Sequence, residues 1–231
     1  MLSTDKIRAI SLDLDDTLWP IKPIMVNAER VLRSWFREYA PQTAVLCEQP
    51  GIQAKVRADV VARFPGQLHD LGLLRRESIR VLLSQAGDDP ALAESAFEIF
   101  HAQRQRVEFF ADALPALERL SQHWPLVAVS NGTADLVQTG LSRYFQAGVS
   151  AQSFGVAKPD PRIFEEAARL AGVGVAQVLH VGDDAELDGK GALASGMQIA
   201  WINRFNHSWA HTAKPHVEVS ELLALCDALG V

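Results

Sequence analysis

With 231 residues, 48% of them hydrophobic and 22% charged, the chain has the composition of a globular protein large enough for a real core, which excludes disordered, fibrous and small disulfide-stapled classes. The 22 Lys and Arg against 28 Asp and Glu leave a net charge of -6 with no basic run, so duplex nucleic acid is not an expected partner. Cys47 and Cys226 form no CxxC or Cys/His cluster, no apolar stretch approaches the roughly 18 residues of a membrane helix, and the first ten residues lack an apolar leader; a cytoplasmic protein with no membrane partner is expected.

Ile10-Ser11-Leu12 runs directly into Asp13-Leu14-Asp15-Asp16-Thr17, the pattern of a buried strand whose carboxyl end opens on solvent. Residues 19–108 then read as successive helices at 24–39, 52–64, 71–85 and 91–107, separated by Pro41, Pro50-Gly51, Pro65-Gly66 and Gly87-Asp88-Asp89-Pro90. From Ala113 the texture changes to alternation. Helices are expected at 114–123, 134–141, 161–171 and 187–194, and strands at 126–130, 149–151, 178–181 and 198–202. Strands alternating with helices predict a parallel sheet with right-handed crossovers. The expected fold is therefore α/β, a Rossmann-like parallel sheet over residues 1–18 and 109–231, with an all-helical domain inserted at 19–108.

In such a sheet ligands bind beyond the carboxyl ends of the strands. Asp13, Asp15 and Thr17 follow the first strand, and Ser130-Asn131-Gly132 the second. Lys158-Pro159 follows the third, and Gly182-Asp183-Asp184 with Asp188 the fourth. Several carboxylates in one crevice repel one another by several kcal/mol per close pair at an effective dielectric near 20, which calls for a cation. Hard oxygen ligands without Cys or His point to Mg²⁺, which favours sites shared with phosphate. Lys158, the Ser130 hydroxyl and the amides near Asn131 complete a cradle for a phosphoryl group.

Asp13-Leu14-Asp15-Asp16-Thr17-Leu18 resembles the DxDxT motif of the haloacid dehalogenase superfamily, Ser130 its second motif, Lys158 its third, and Gly182-Asp183-Asp184 with Asp188 its fourth. The helical insertion is similar to that superfamily's C1 cap. The resemblance implies a phosphomonoesterase with Asp13 as nucleophile, forming an aspartyl phosphate, and Asp15 as general acid and base. Asp13, Asp183 and the Asp15 backbone would hold Mg²⁺, Ser130, Asn131 and Lys158 would hold the phosphoryl group, and Thr17, Asp184 and Asp188 would support them. A 2-haloacid dehalogenase and another sugar or nucleotide phosphatase are the alternatives, with a non-catalytic binding protein a distant third. Dehalogenases of the superfamily typically lack the second Asp, so Asp15 favours the phosphatase.

The Asp13–Trp19 segment, Trp124-Pro125-Leu126-Val127-Ala128 and His180-Val181-Gly182-Asp183-Asp184 through Trp201 resemble the bacterial YigB-type branch of phosphatases. That branch implies a small phosphorylated metabolite as partner, either flavin mononucleotide or 5-amino-6-(5-phosphoribitylamino)uracil, a riboflavin precursor. Residues 19–108 carry 12 Lys/Arg and 11 Asp/Glu, leaving the remainder at net -7, so the insertion is a nearly neutral segment able to touch an anion. Arg76 in the Arg75-Arg76 pair is a candidate anion contact, and Trp19 is either a platform for a flat ring or a residue that packs the hinge. His101, His123, His180, His207, His211 and His216 show no metal-ligand spacing and no Ser or Cys partner in a familiar motif; His207 and His211, four apart, could share a helix face. Nothing in the sequence fixes an oligomeric state.

Overall fold

A computed structural model describes residues 2–231. The chain forms two compact units, one holding the chain up to Pro20 together with Glu108–Val231, the other Ile21–Val107.

In chain order, β1 (Ala9–Leu12) precedes the helical unit of α1 (Ile21–Tyr39), α2 (Pro41–Leu46), α3 (Ile52–Arg63), α4 (Leu71–Ala86) and α5 (Ala93–Arg104). Next come α6 (Ala113–Ser121), β2 (Leu126–Ser130), β3 (Ala147–Ser150), α7 (Ala151–Phe154), α8 (Pro161–Ala171) and β4 (Val178–Gly182). A π-helical turn (Ala185–Lys190), α9 (Gly191–Ser195), β5 (Gln198–Ile202), β6 (Val217–Val219) and α10 (Leu222–Leu229) complete the chain.

The six strands form one parallel sheet in the order β3-β2-β1-β4-β5-β6. Strand order reverses beside β1, so the crevice beyond the carboxyl ends of β1 and β4 is the topological switch point where an open α/β sheet binds ligands. Both strands are buried along their whole length, as expected of a sheet covered on two faces. On one face α8 presents Ile163, Phe164, Ala167 and Ala168 at helical spacing to Ala9, Val127, Val129 and Val178.

The helical unit has its own cores. Ile24, Ala28, Leu32 and Phe36 recur every four residues along α1, and the last three of them cluster with Ile79 and Leu83 of α4 and Ala93, Ala96 and Phe100 of α5. Val56 and Val60 of α3 meet Leu74 and Leu82 of α4 in a second cluster.

Several expected elements differ. Residues 134–141 are not helical: Asp135 accepts from the backbone N–H of Val137 at 2.9 Å and of Gln138 at 2.8 Å, and Gly140 takes a left-handed φ of 77°, so the segment closes as turns. Pro41 starts a short helix instead of only separating two, since proline fits the first helical turn. The helix expected over 91–107 is a 3₁₀ turn at Pro90–Leu92 followed by α5. That expected over 187–194 is divided between the π-helical turn and α9. The three-residue β6 and α10 had no sequence expectation. His207 lies in irregular chain and His211 in a bend, neither on a helix. Trp19, Pro20 and Glu108 belong to the α/β unit, so the helical unit starts two residues later than the motif boundary suggests and ends one earlier.

Candidate active site

Side-by-side pairing of β1 and β4 places Leu12 opposite Val181, and the residues that follow each strand converge. Asp13 directly follows β1 and Asp183 directly follows β4, and the Asp13 backbone N–H donates to the Val181 carbonyl at 2.9 Å. Gly182 is required by crowding, because a Cβ there would lie 2.3 Å from Cγ of Asp188. Lys158, from the loop before α8, is buried, and its ammonium donates to Asp13 Oδ1 and, at 2.6 Å, to Asp188 Oδ1. Thr17 Oγ1 donates to Asp183 Oδ1 at 3.0 Å, joining the first motif to the fourth.

Charge crowding marks the cluster. Burial pushes the Asp13 carboxyl well above the usual range; Lys158 opposes the shift, while the charges of Asp188, Asp183 and Asp15 add to it. Burial and the neighbouring Asp188 charge push Asp183 up to about 7. Burial pulls the Lys158 ammonium down, but Asp13 and Asp188 outweigh that and hold it above its usual value. Burial likewise opposes ionisation of Asp188, and Lys158 and His180 overcome it, keeping that carboxylate charged. Three carboxylates and one ammonium leave a surplus of negative charge.

The supporting residues divide their work. Asp188 spends both oxygens inside the protein: Oδ1 on Lys158 and His180, Oδ2 on the Asp184 backbone N–H at 3.1 Å. It therefore anchors Lys158. Asp184 is exposed and accepts from the N–H groups of Glu186 and Leu187, capping the π-helical turn. The Asn131 carboxamide is committed to the backbone of Lys158, accepting from its N–H at 2.8 Å and donating to its carbonyl at 3.0 Å. Its side chain thus holds the lysine loop beside β2. Ser130, buried at the end of β2, accepts from the Gly132 N–H at 2.9 Å.

Two expected substrate contacts have partners within their own units. Trp19 is fully buried, so neither ring face is open to stack on a flat ligand. Its indole N–H donates to Asp15 Oδ1 at 2.8 Å. Arg76 belongs to the helical unit, with Nε 3.0 Å from Glu94 and its guanidinium over the Phe97 ring. Its neighbour Arg75 pairs with Glu29 and lies over Phe100.

One residue passed over in the sequence is central. His180 is completely buried on β4, opposite Ser11 on β1, with Nδ1 2.8 Å from the Ser11 hydroxyl and Nε2 3.1 Å from Asp188 Oδ1. Burial lowers its pKa, so the ring is neutral, accepting from Ser11 and donating to Asp188. Its Ser partner comes from another strand, 169 residues away in sequence, and no local motif announces it.

Asp13, Asp183 and Asp188 each offer an oxygen, all within 4.8 Å of one another. An all-oxygen, carboxylate-rich donor set with surplus negative charge fits a hard divalent cation. With Asp188 committed to Lys158 and His180, Asp13 and Asp183 are the side chains that would hold it.

A family model described as haloacid dehalogenase-like hydrolase matches residues 7–196. The 5-amino-6-(5-phospho-D-ribitylamino)uracil phosphatase YigB of Escherichia coli is 33% identical over 97% of this chain and 97% of its own. Phosphoserine phosphatase of Thermus thermophilus is 30% identical over 68% of this chain and 67% of its own. Among solved structures, a 2-haloacid dehalogenase from Pseudomonas syringae pv. Tomato superposes with a TM-score of 0.91 at 34% identity, covering 97% of this chain and 98% of that one. A family match over most of the α/β unit and a relative aligned along nearly the whole of both chains agree with the converging motifs, and the chain belongs to the haloacid dehalogenase-like hydrolases.

Proposed function

We propose that the chain is a Mg²⁺-dependent phosphomonoesterase acting through an aspartyl phosphate on a small phosphorylated metabolite. The observation that carries this reading is Lys158 bridging Asp13 and Asp188 beside Asp183 at the switch point, with Asp15 two residues beyond the nucleophile. An Asp13 oxygen bonds to phosphorus as the phosphorus–ester oxygen bond breaks, and the departing oxygen keeps the electron pair and takes a proton from Asp15. Asp15, now ionised, takes a proton from water; the water oxygen bonds to phosphorus, the Asp13–phosphorus bond breaks, and inorganic phosphate leaves. Lys158 and the Ser130 hydroxyl donate to the oxygens of the transferring group. Bound between Asp13 and Asp183, Mg²⁺ would supply charge neutralisation for nucleophile and phosphoryl group.

The substrate proposal rests on YigB, whose name gives a phosphoribitylaminouracil. We carry that compound and flavin mononucleotide as the first substrates to test, and the helical unit as a C1-type cap. A second reading, 2-haloacid hydrolysis, draws on the solved dehalogenase at 34% identity. Asp15 counts against it, since a departing halide needs no proton. Phosphate release from a panel of phosphorylated metabolites, run beside halide release from 2-chloropropionate, separates the two. Metal-dependent phosphate release that disappears in Asp13→Asn is expected; halide release without phosphate release would reverse the assignment.

A further inference from the structure

The loop after β1 closes on itself in a way that commits one side chain to another. Asp16 takes a left-handed φ of 57°, tolerable for a short polar residue, and its N–H donates to the Trp19 carbonyl at 2.7 Å. Leu18 N–H donates to the Leu14 carbonyl at 2.8 Å, and Asp15 and Trp19 form an isolated parallel bridge. Four residues of chain thus return Trp19 alongside Asp15. The indole is immobilised there, fully buried, with the Phe109 ring edge-on at a centroid distance of 5.6 Å. Phe110 N–H donates to the Leu18 carbonyl at 2.9 Å and pins the segment that carries Phe109.

An indole has one polar atom, a donor, and a buried one must be partnered. Here it is partnered by Asp15, at 2.8 Å. A carboxylate turns easily about its last torsion, which is broad and two-fold, so a donor fixed by packing sets the plane of the group. Proton transfer depends on that plane, because donor and acceptor must meet at hydrogen-bond distance and angle as the ester bond breaks.

We propose that Trp19 is a positioning residue for Asp15, its indole N–H holding the carboxyl group in the orientation from which it protonates the departing ester oxygen. The inference rests on the phosphatase reading, in which Asp15 is the general acid. It replaces stacking on the substrate with action through a second side chain.

The test uses the full-length protein with Mg²⁺ and reads kcat/KM, which reports transfer to Asp13 and not the hydrolysis that follows. Three variants are compared: Trp19→Phe, a β-(3-benzothienyl)alanine isostere at position 19 that replaces the N–H by sulfur, and Asp15→Asn. The isostere should lower kcat/KM about tenfold for an alkyl phosphate, part of the roughly 100-fold or more that general acid catalysis supplies, and less than about threefold for p-nitrophenyl phosphate, whose leaving group needs no proton. Adding Trp19→Phe to Asp15→Asn should cost no more than Asp15→Asn alone, because residues acting as a unit are not additive. Equal losses on both substrates, or additive losses in the double variant, would overturn the proposal and leave Trp19 a packing residue. Asp15→Asn without leaving-group dependence would instead remove the general acid reading, and the proposal with it. Should Trp19→Phe fail to fold, the isostere alone decides between the two outcomes by its leaving-group dependence.

Discussion

Lys158 is buried between two carboxylates, and removing each of the three leaves a different charge behind. Asp13→Asn removes one member of a crowded set whose burial already disfavours ionisation, while Lys158 keeps Asp188. We expect turnover to vanish and Tm, measured without metal, to be no lower than that of the parent protein, the pattern of a site where function costs stability. Lys158→Ala leaves Asp13 and Asp188 buried without their cation and should cost about 3–5 kcal/mol, read by urea denaturation, as well as activity. Gly182→Ala drives a methyl group into Asp188. Overpacking of this kind costs about 1–3 kcal/mol and here displaces the anchor of Lys158, so phosphate release should fall further than the stability loss explains.

At the scale of elements, the connections near the sheet edge carry as much information as the strands. Arg204, in the loop after β5, donates to the Thr17 carbonyl at 2.9 Å and to both oxygens of Asp112, and lies over the Phe110 ring. Asp112 also accepts the Leu222 N–H at 2.6 Å, satisfying the start of α10. One ion pair thus joins the segment after β1, the start of α6, the loop after β5 and the C-terminal helix. Burial pushes the Asp112 carboxyl up, but the Arg204 hydrogen bonds and the Leu222 N–H outweigh it and hold it below the ordinary carboxylate value. Its contribution is therefore complete at neutral pH, above the unfolded pKa, and is lost as pH falls through the lower folded value. Asp112→Asn should remove about 3 kcal/mol at pH 7 and progressively less at strongly acid pH, checked by denaturation across that range. None of these partners is a sequence neighbour, and a lone Arg or Asp in a loop reads as solvated. The short β6 is illegible in the sequence because three residues of strand carry no periodicity.

At the scale of the whole molecule, each of the two units has its own apolar core, and net charge is divided as +1 over residues 19–108 and -7 over the rest. Phe36→Ala removes a buried ring from the helical unit and should cost about 3–5 kcal/mol there. Hydrogen exchange should accelerate in α1, α4 and α5 while β1 and β4 keep their protection; uniform acceleration would show that the units unfold as one. Metal binding is a second molecular readout. If Asp13 and Asp183 hold Mg²⁺, its addition should raise Tm in the parent protein by mass action and much less in Asp183→Asn, with EDTA reversing the shift.

The sequence by itself determined the parallel α/β architecture and the position of the acidic and hydroxyl groups at strand ends, while Lys158 lies past α7 in the loop before α8. Buried parallel strands are short apolar runs, and their abrupt change to Asp13, Ser130 and Asp183 is visible without any contact. Only the tertiary structure decided what those groups touch. The partners of Lys158, 145 and 30 residues away, follow from how the loops packed, and the pairing of Ser11 with His180 from strand register; local patterning contains neither. That the Asn131 carboxamide holds the lysine loop, and that Asp188 and not Asp184 anchors Lys158, are matters of which partners packing brings within reach. Between ring platform and packing residue, Trp19 is decided as a buried donor because the chain after β1 folds it back on Asp15, and burial is a property of packing, not of residue type.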